Sequence, residues 1–142
     1  MLDRSHIKEQ DGRRLVFDQW RKRWVALTPE ELVRQHTLHL LVDEYNYQKG
    51  LISVEHTIEL NGMKKRCDAV VYALEGKPLM IIEFKAPDVA LTQKVFDQAA
   101  TYNTKLTVPY LMVANGKQTI VCKVENGKYI FAHDIPKYEE LT

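Results

Sequence analysis

The chain has 142 residues, 45% of them hydrophobic, 27% charged and 9% aromatic. That is the size and composition of one folded domain and excludes a disordered, collagen-like or coiled-coil chain. Twenty Lys and Arg against 19 Asp and Glu leave a net charge of +1, which argues against a strongly basic, coat-like DNA binder.

Residues 1–12 read as a loose arm, and 13–142 as a single domain. Residues 13–27 mix arginines with Phe17, Trp20 and Trp24, and are expected as an irregular or strand-like segment on the domain edge. Thr28-Pro29-Glu30-Glu31 is a helix start: Thr28 suits the N-cap, Pro29 the first helical position, and Glu31 completes a T-x-x-E capping box. The helix is expected to run to about Tyr45, with a stop near Lys49-Gly50. Strands follow at 51–60, closed by Asn61-Gly62, at 66–74, and at 79–85. Residues 89–105 have helical composition. A short apolar strand at 109–114 and a hairpin of 117–125 with 128–133 around Asn126-Gly127 complete the chain. The order is that of an α/β domain with a mixed sheet between helices.

Other function classes are weakly supported. Cys67 and Cys122 have no metal-type spacing and read as free thiols of a reducing cytosol. His36 and His39 can share a helix face, but two ligands do not make a zinc site. Gly76-Lys77, Gly116-Lys117 and Gly127-Lys128 are not followed by Ser or Thr, so no P-loop and no ATP binding by this chain are expected. No apolar run reaches the roughly 18–20 residues of a membrane span, and the N-terminal stretch is too polar for a secretory signal. A cytoplasmic location without a membrane partner is expected.

The strand Leu79-Met80-Ile81-Ile82-Glu83-Phe84-Lys85 is the informative one. A continuous apolar run marks a strand covered on both faces, where charge is costly unless paired or metal-bound. Glu83 and Lys85 share a face. The preceding strand is apolar around Asp68. A hairpin with Gly76-Lys77 as its central turn residues places Asp68 opposite Lys85 and Val70 opposite Glu83. Asp68 and Glu83 are then diagonal neighbours, roughly 7–8 Å apart. Two carboxylates and an ammonium so placed suit Mg²⁺-assisted phosphodiester hydrolysis, with Asp68 and Glu83 as hard oxygen ligands and Lys85 orienting a water or stabilising developing charge. A plain Asp68–Lys85 salt bridge is the competing reading. On the next helix, Gln98 and Tyr102 lie four apart on one face, and Ala99 and Ala100 permit close approach to a sheet.

Asp68, Glu83-x-Lys85 and Gln98-x-x-x-Tyr102 resemble the PD-(D/E)xK nuclease superfamily in its Q-x-x-x-Y-bearing branch. More closely, RKRWVALTPEELVRQH at 21–36, RCDAVV at 66–71, IIEFKAP at 81–87, QAATYN at 98–103 and VANGK at 113–117 resemble the N-terminal nuclease domain of type I restriction enzyme R subunits. The resemblance implies a restriction-endonuclease-like αβββαβ core with an extra C-terminal hairpin. It also implies a Mg²⁺-dependent DNA endonuclease, with Mn²⁺ as a substitute, that works with other restriction-modification subunits. It assigns Asp68, Glu83 and Lys85 to the metal and water site, and Gln98 and Tyr102 to its support or to DNA contact. A first-helix glutamate, Glu30 or Glu31, often joins the metal. R subunits carry an ATP-dependent translocase after this domain, which 142 residues do not accommodate, so a free-standing nuclease, a split-off subunit or a remnant is expected.

Lys64, Lys65 and Arg66, together with Arg21 and Arg23 of a second basic stretch, are the candidate DNA contacts. They would grip phosphates without reading sequence. A first-helix glutamate with Asp68, Glu83 and Lys85 sums to −2. Without metal, one carboxyl pKa should therefore rise, Mg²⁺ should raise the melting temperature, and Asp68→Asn should stabilise the metal-free protein. The alternatives are a nuclease-like module that binds DNA or a partner with little activity, and a structural protein whose charges form only a salt bridge.

Overall fold

The computed structural model describes residues 4–142, the side chains of Arg4, Leu60 and Thr104 excepted. Residues 4–12, expected as a loose arm, are instead ordered. A 3-10 turn (Arg4–His6) leads into β1 (Ile7–Gln10), which pairs antiparallel with β2 (Arg13–Asp18), and β2 with β3 (Arg23–Ala26). The hairpin follows from Asp11-Gly12, both left-handed at φ 54° and 75°, the conformation that a two-residue turn requires to match strand twist. The Ile7-Lys8-Glu9-Gln10 strand carries no apolar alternation, so periodicity does not reveal it. Residues 1–3 of the expected arm lie outside the described residues.

Helix α1 (Pro29–Glu44) begins as its sequence dictates: the Glu31 backbone N–H donates to Thr28 Oγ at 3.1 Å. The return half of the capping box is replaced. The Thr28 N–H donates to Ala26 O, and the Glu31 carboxylate turns to Arg21, Arg34 and Gln35. The helix ends at Glu44, and Lys49–Leu51 is a separate 3-10 turn.

Six strands form the main sheet: β4 (Ile52–Leu60), β5 (Met63–Tyr72), β6 (Pro78–Phe84), β7 (Tyr110–Ala114), β8 (Thr119–Glu125) and β9 (Lys128–Ala132), neighbours in that order. Helix α2 (Gln93–Leu106) links β6 to β7, which run parallel; the other neighbours are antiparallel. The sheet is therefore mixed, as expected, and the order α1-β4-β5-β6-α2-β7 is the αβββαβ core with a C-terminal hairpin. Helix α2 starts at a Thr92 cap, three residues after the expected Val89.

The two helices cover opposite faces. Val33, Leu38 and Leu41 of α1 pack with Ala69, Val71, Met80, Ile82 and Phe84. Phe96, Ala99 and Tyr102 of α2 pack with Val70, Ile81, Leu111 and Val113. Both cysteines are free and buried. No helix among the described residues is long and apolar enough to cross a membrane.

The β5–β6 register differs from the expected one. Ala69 pairs with Ile82, Val70 with Ile81 and Val71 with Met80, two residues from the pairing that places Val70 opposite Glu83. The turn is responsible. Gly76 donates to Ala73 O at 2.9 Å, so Leu74 and Glu75, not Gly76 and Lys77, are its central residues, and Gly76 follows in the left-handed region at φ 92°. The strand irregularity between Val71 and Tyr72 absorbs the extra residue. A shift of two preserves faces, so Asp68 and Glu83 still meet, now more directly.

Candidate active site

The centre of the site is where the apolar β6 strand admits a carboxylate. Glu83 is buried, and its Oε1 accepts the Asp68 backbone N–H at 3.4 Å. The Asp68 carboxylate turns back across the pair: Oδ2 accepts the Phe84 N–H at 2.7 Å. Each acid thus touches the other's strand. Burial, then the charge of Asp68, pushes the Glu83 carboxyl up to about 8. One carboxyl of the cluster is therefore protonated at neutral pH without a metal.

Lys85 does not pair with Asp68, so the simple cross-strand salt bridge is not what holds this cluster. Its ammonium makes an exposed contact, donating to Gln98 Oε1 of α2 at 3.4 Å. Tyr102, one turn further on and buried, has its hydroxyl pushed up to about 12 by burial and by Glu83. The helix face carrying Gln98 and Tyr102 therefore lies beside the carboxylates, while Ala99 is fully buried against the sheet.

The other side of the site holds residues that motif spacing does not single out. Arg34 of α1 is buried; its Nη1 donates to Glu31 Oε1 at 2.8 Å and its Nη2 to Asp68 Oδ1 at 3.2 Å. Arg21 donates to Glu31 at 2.7 Å and to Glu55 at 2.8 Å, and closes on Asp18, which is fully buried. Glu55 also accepts from Arg66 at 3.3 Å. It sits on β4 between the Val54–Ala69 and His56–Cys67 pairs, across from Asp68, with φ at 57°. Arg34 and Glu55 are not legible from spacing because their contacts across the site are long-range. Two local signals exist: Arg34 lies three residues after Glu31, a helical ion-pair spacing, and Arg21 lies three residues after Asp18.

Of the two first-helix candidates, Glu31 points inward and Glu30 is exposed. Glu31 Oε1 is shared by Arg21 and Arg34, and Oε2 accepts from Gln35 at 3.0 Å. Among the basic candidates, Lys64, Lys65 and Arg66 are exposed on the β5 end leading to Asp68, and Arg23 is exposed on β3. Arg21 is not displayed to solvent in this way: its side chain is 12% exposed and committed to three carboxylates.

Among the described residues, no three His, Cys, Asp or Glu side chains converge as a ready-made metal cage. The donor set nonetheless fits Mg²⁺, which is commonly held by one or two carboxylates with waters and substrate oxygens. Asp68 and Glu83 supply two hard oxygen donors on adjacent strands, and Asp68 Oδ1 already attracts a cation in Arg34.

Both a sequence family and solved structures match this chain. The sequence profile of the family described as type I restriction enzyme R protein N terminus (HSDR_N) matches residues 29–136. The fold is similar to a solved fragment of a protein assigned as the HsdR subunit of a type I restriction enzyme from Vibrio vulnificus YJ016, with a TM-score of 0.60 at 18% identity. The likeness covers 80% of this chain and 24% of that one, so the chain spans about a quarter of the solved chain's length. No curated protein matches the sequence.

Proposed function

The chain belongs to the family of type I restriction enzyme R protein N termini, and on that premise we propose that it is a divalent-metal-dependent DNA endonuclease domain that hydrolyses phosphodiester bonds. The observation that carries this reading is the meeting of Asp68, Glu83 and the Lys85–Gln98 pair where the middle of β5 meets the C-terminal end of β6. Structural ion pairing alone gives no reason to bury Glu83 beside a second acid, at a cost in free energy.

In this reading Asp68 and Glu83 hold Mg²⁺, or Mn²⁺ in its place. The bound ion supplies charge neutralisation at the phosphate and a lower pKa for an attacking water. Asp68 is held in orientation by the Phe84 N–H. Glu83 must release its proton before it can serve, which is favoured by an approaching cation. Lys85, held by Gln98, directs its ammonium to the water or to the developing phosphate charge. Tyr102 closes the α2 side. Lys64, Lys65, Arg66 and Arg23 contact phosphates of the duplex without selecting a sequence. The partners are DNA and the other subunits of a type I restriction-modification enzyme.

Plasmid nicking with Mg²⁺ or Mn²⁺ tests the reading. Nicking should fall by roughly a hundredfold or more in Asp68→Ala and in Lys85→Ala. Metal-dependent nicking that survives both substitutions sinks the site assignment. A second reading, a nuclease-like module that binds DNA with little cleavage, is favoured by the Arg34–Asp68 ion pair, which already engages one metal ligand. DNA retention without nicking under either metal selects it.

A further inference from the structure

Arg34 is chemically unusual in its place. It is buried, and no ligand motif includes it, yet it reaches a carboxylate at the heart of the site. Its two bonds are unequal. The contact to Glu31 is 2.8 Å and lies within one helix, three residues apart; the contact to Asp68 is 3.2 Å and crosses to β5. Its Nε is buried without a hydrogen-bond partner. Its guanidinium carbon stands 5.9 Å from the centre of the Phe84 ring, whose backbone N–H caps Asp68. The guanidinium is thus anchored by Glu31 and flanked by Phe84, while its hold on Asp68 is the looser one, through an oxygen that a metal would need.

Resting on the metal reading above, we propose that Arg34 is a positioning residue that serves as the internal counter-cation of Asp68, so that a divalent ion must compete with its guanidinium and Arg34 thereby sets the metal affinity of the site. Before metal binds, Arg34 holds Asp68 oriented beside Glu83. A divalent ion held by Asp68 would draw that carboxylate away from Arg34, which would stay anchored on Glu31 and be repelled by the added charge. Glu31 acts here as the anchor of Arg34 and not as a metal ligand. Arg21, sharing Glu31 Oε1 with Arg34, fixes that anchor.

Calorimetric titration of the whole chain with Mn²⁺ at about pH 8.5, above the Glu83 window, tests this. Arg34→Met should bind Mn²⁺ roughly tenfold more tightly than the parent, because a competing and repelling charge is gone; Arg34→Lys, which keeps the charge, should stay within about threefold of the parent. A merely structural role predicts the opposite order, since a loosened site binds metal less well. Equal or weaker binding by Arg34→Met, with the parent still binding, overturns the Arg34 proposal and leaves the metal reading intact. Absence of Mn²⁺ binding by parent and variants alike overturns the metal reading and this one with it. Should Arg34→Met not fold, the parent decides: the Arg34 Nε–H resonance should move on Mg²⁺ titration with the midpoint of a Mg²⁺ calorimetric titration, and an unmoved resonance at saturating Mg²⁺ overturns the proposal.

Discussion

Glu55 stands across β4 and β5 from Asp68, and at that one position the strand backbone turns left-handed, with φ at 57°. The faces change there too. Val54 and Ala69 pack under α1, whereas Ile58 and Cys67 pack under α2. The kink brings the Glu55 carboxylate to Arg21 and Arg66 and places Asp68 at the boundary between the two cores. A non-glycine residue in this region costs roughly 1–2 kcal/mol. Glu55→Gly and Glu55→Ala both lose the ion pairs, but only alanine keeps the strain. Urea denaturation should find the glycine variant more stable than the alanine variant by about 1 kcal/mol; equal stabilities would show that the strand relaxes and the strain is not held.

Asp68→Asn should lower the melting temperature of the metal-free protein. Summing Glu31, Asp68, Glu83 and Lys85 alone suggests the reverse, because that sum omits Arg34 and Arg21. Asp68 is the partner of a buried guanidinium, and an amide leaves that charge undercompensated, at about 1–3 kcal/mol. A variant that melts at or above the parent would restore the repulsive picture. In the same melts Mg²⁺ should stabilise the parent and leave Asp68→Asn unmoved.

Glu83 makes the metal-free protein sensitive to pH. Burial and Asp68 raise its carboxyl from 4.5 to about 8, so between those values the folded chain keeps a proton that the unfolded chain has released. Stability from this group is full below about pH 4.5, falls as pH rises through the window, and is gone above about pH 8. The urea midpoint should therefore decline between about pH 5.5 and 8.5, and Glu83→Gln should flatten that decline. A slope unchanged in the variant would assign it to other groups.

Arg21 and Arg23 lie two residues apart in one basic stretch and should behave differently. Arg21→Ala removes a partner from three carboxylates, among them the fully buried Asp18, and should cost about 3 kcal/mol in denaturant unfolding. Arg23→Ala, exposed on β3, should stay within about 0.5 kcal/mol. Similar losses for both would mean that the network around Arg21 is not load-sharing.

What could be read from the sequence divides along a physical line. The Thr28 cap, the Asn61-Gly62 turn and the apolar β6 and β7 runs are local signals, and the elements they predict are present. The meeting of Asp68 with Glu83 was reached through face parity, which tolerated the two-residue register difference caused by the Leu74-Glu75 turn. The Glu31 role, the burial of Arg34 and the closure of Arg21 on Asp18 join segments 3 to 34 residues apart. No periodicity encodes the longer of these pairings, because a charged residue reads alike whether it faces solvent or a buried partner. The β1–β2 hairpin escaped for the opposite reason: its turn was plain in Asp11-Gly12, but its strand carries no apolar pattern.

The ion pairs around Arg21 also bear on where this domain begins. The family profile takes hold at residue 29, yet Asp18 and Arg21 lie before it and close the circuit on Glu31 and Glu55 behind it. A boundary drawn at the start of the recognisable sequence would sever that circuit, leaving Glu31 with one arginine to answer for two and Glu55 dependent on the exposed Arg66 and a distant Arg34, 3.9 Å away. The segment ahead of α1 thus supplies Arg21, and with it an ion-pair partner for Glu31 and Glu55, from outside the stretch that sequence similarity outlines.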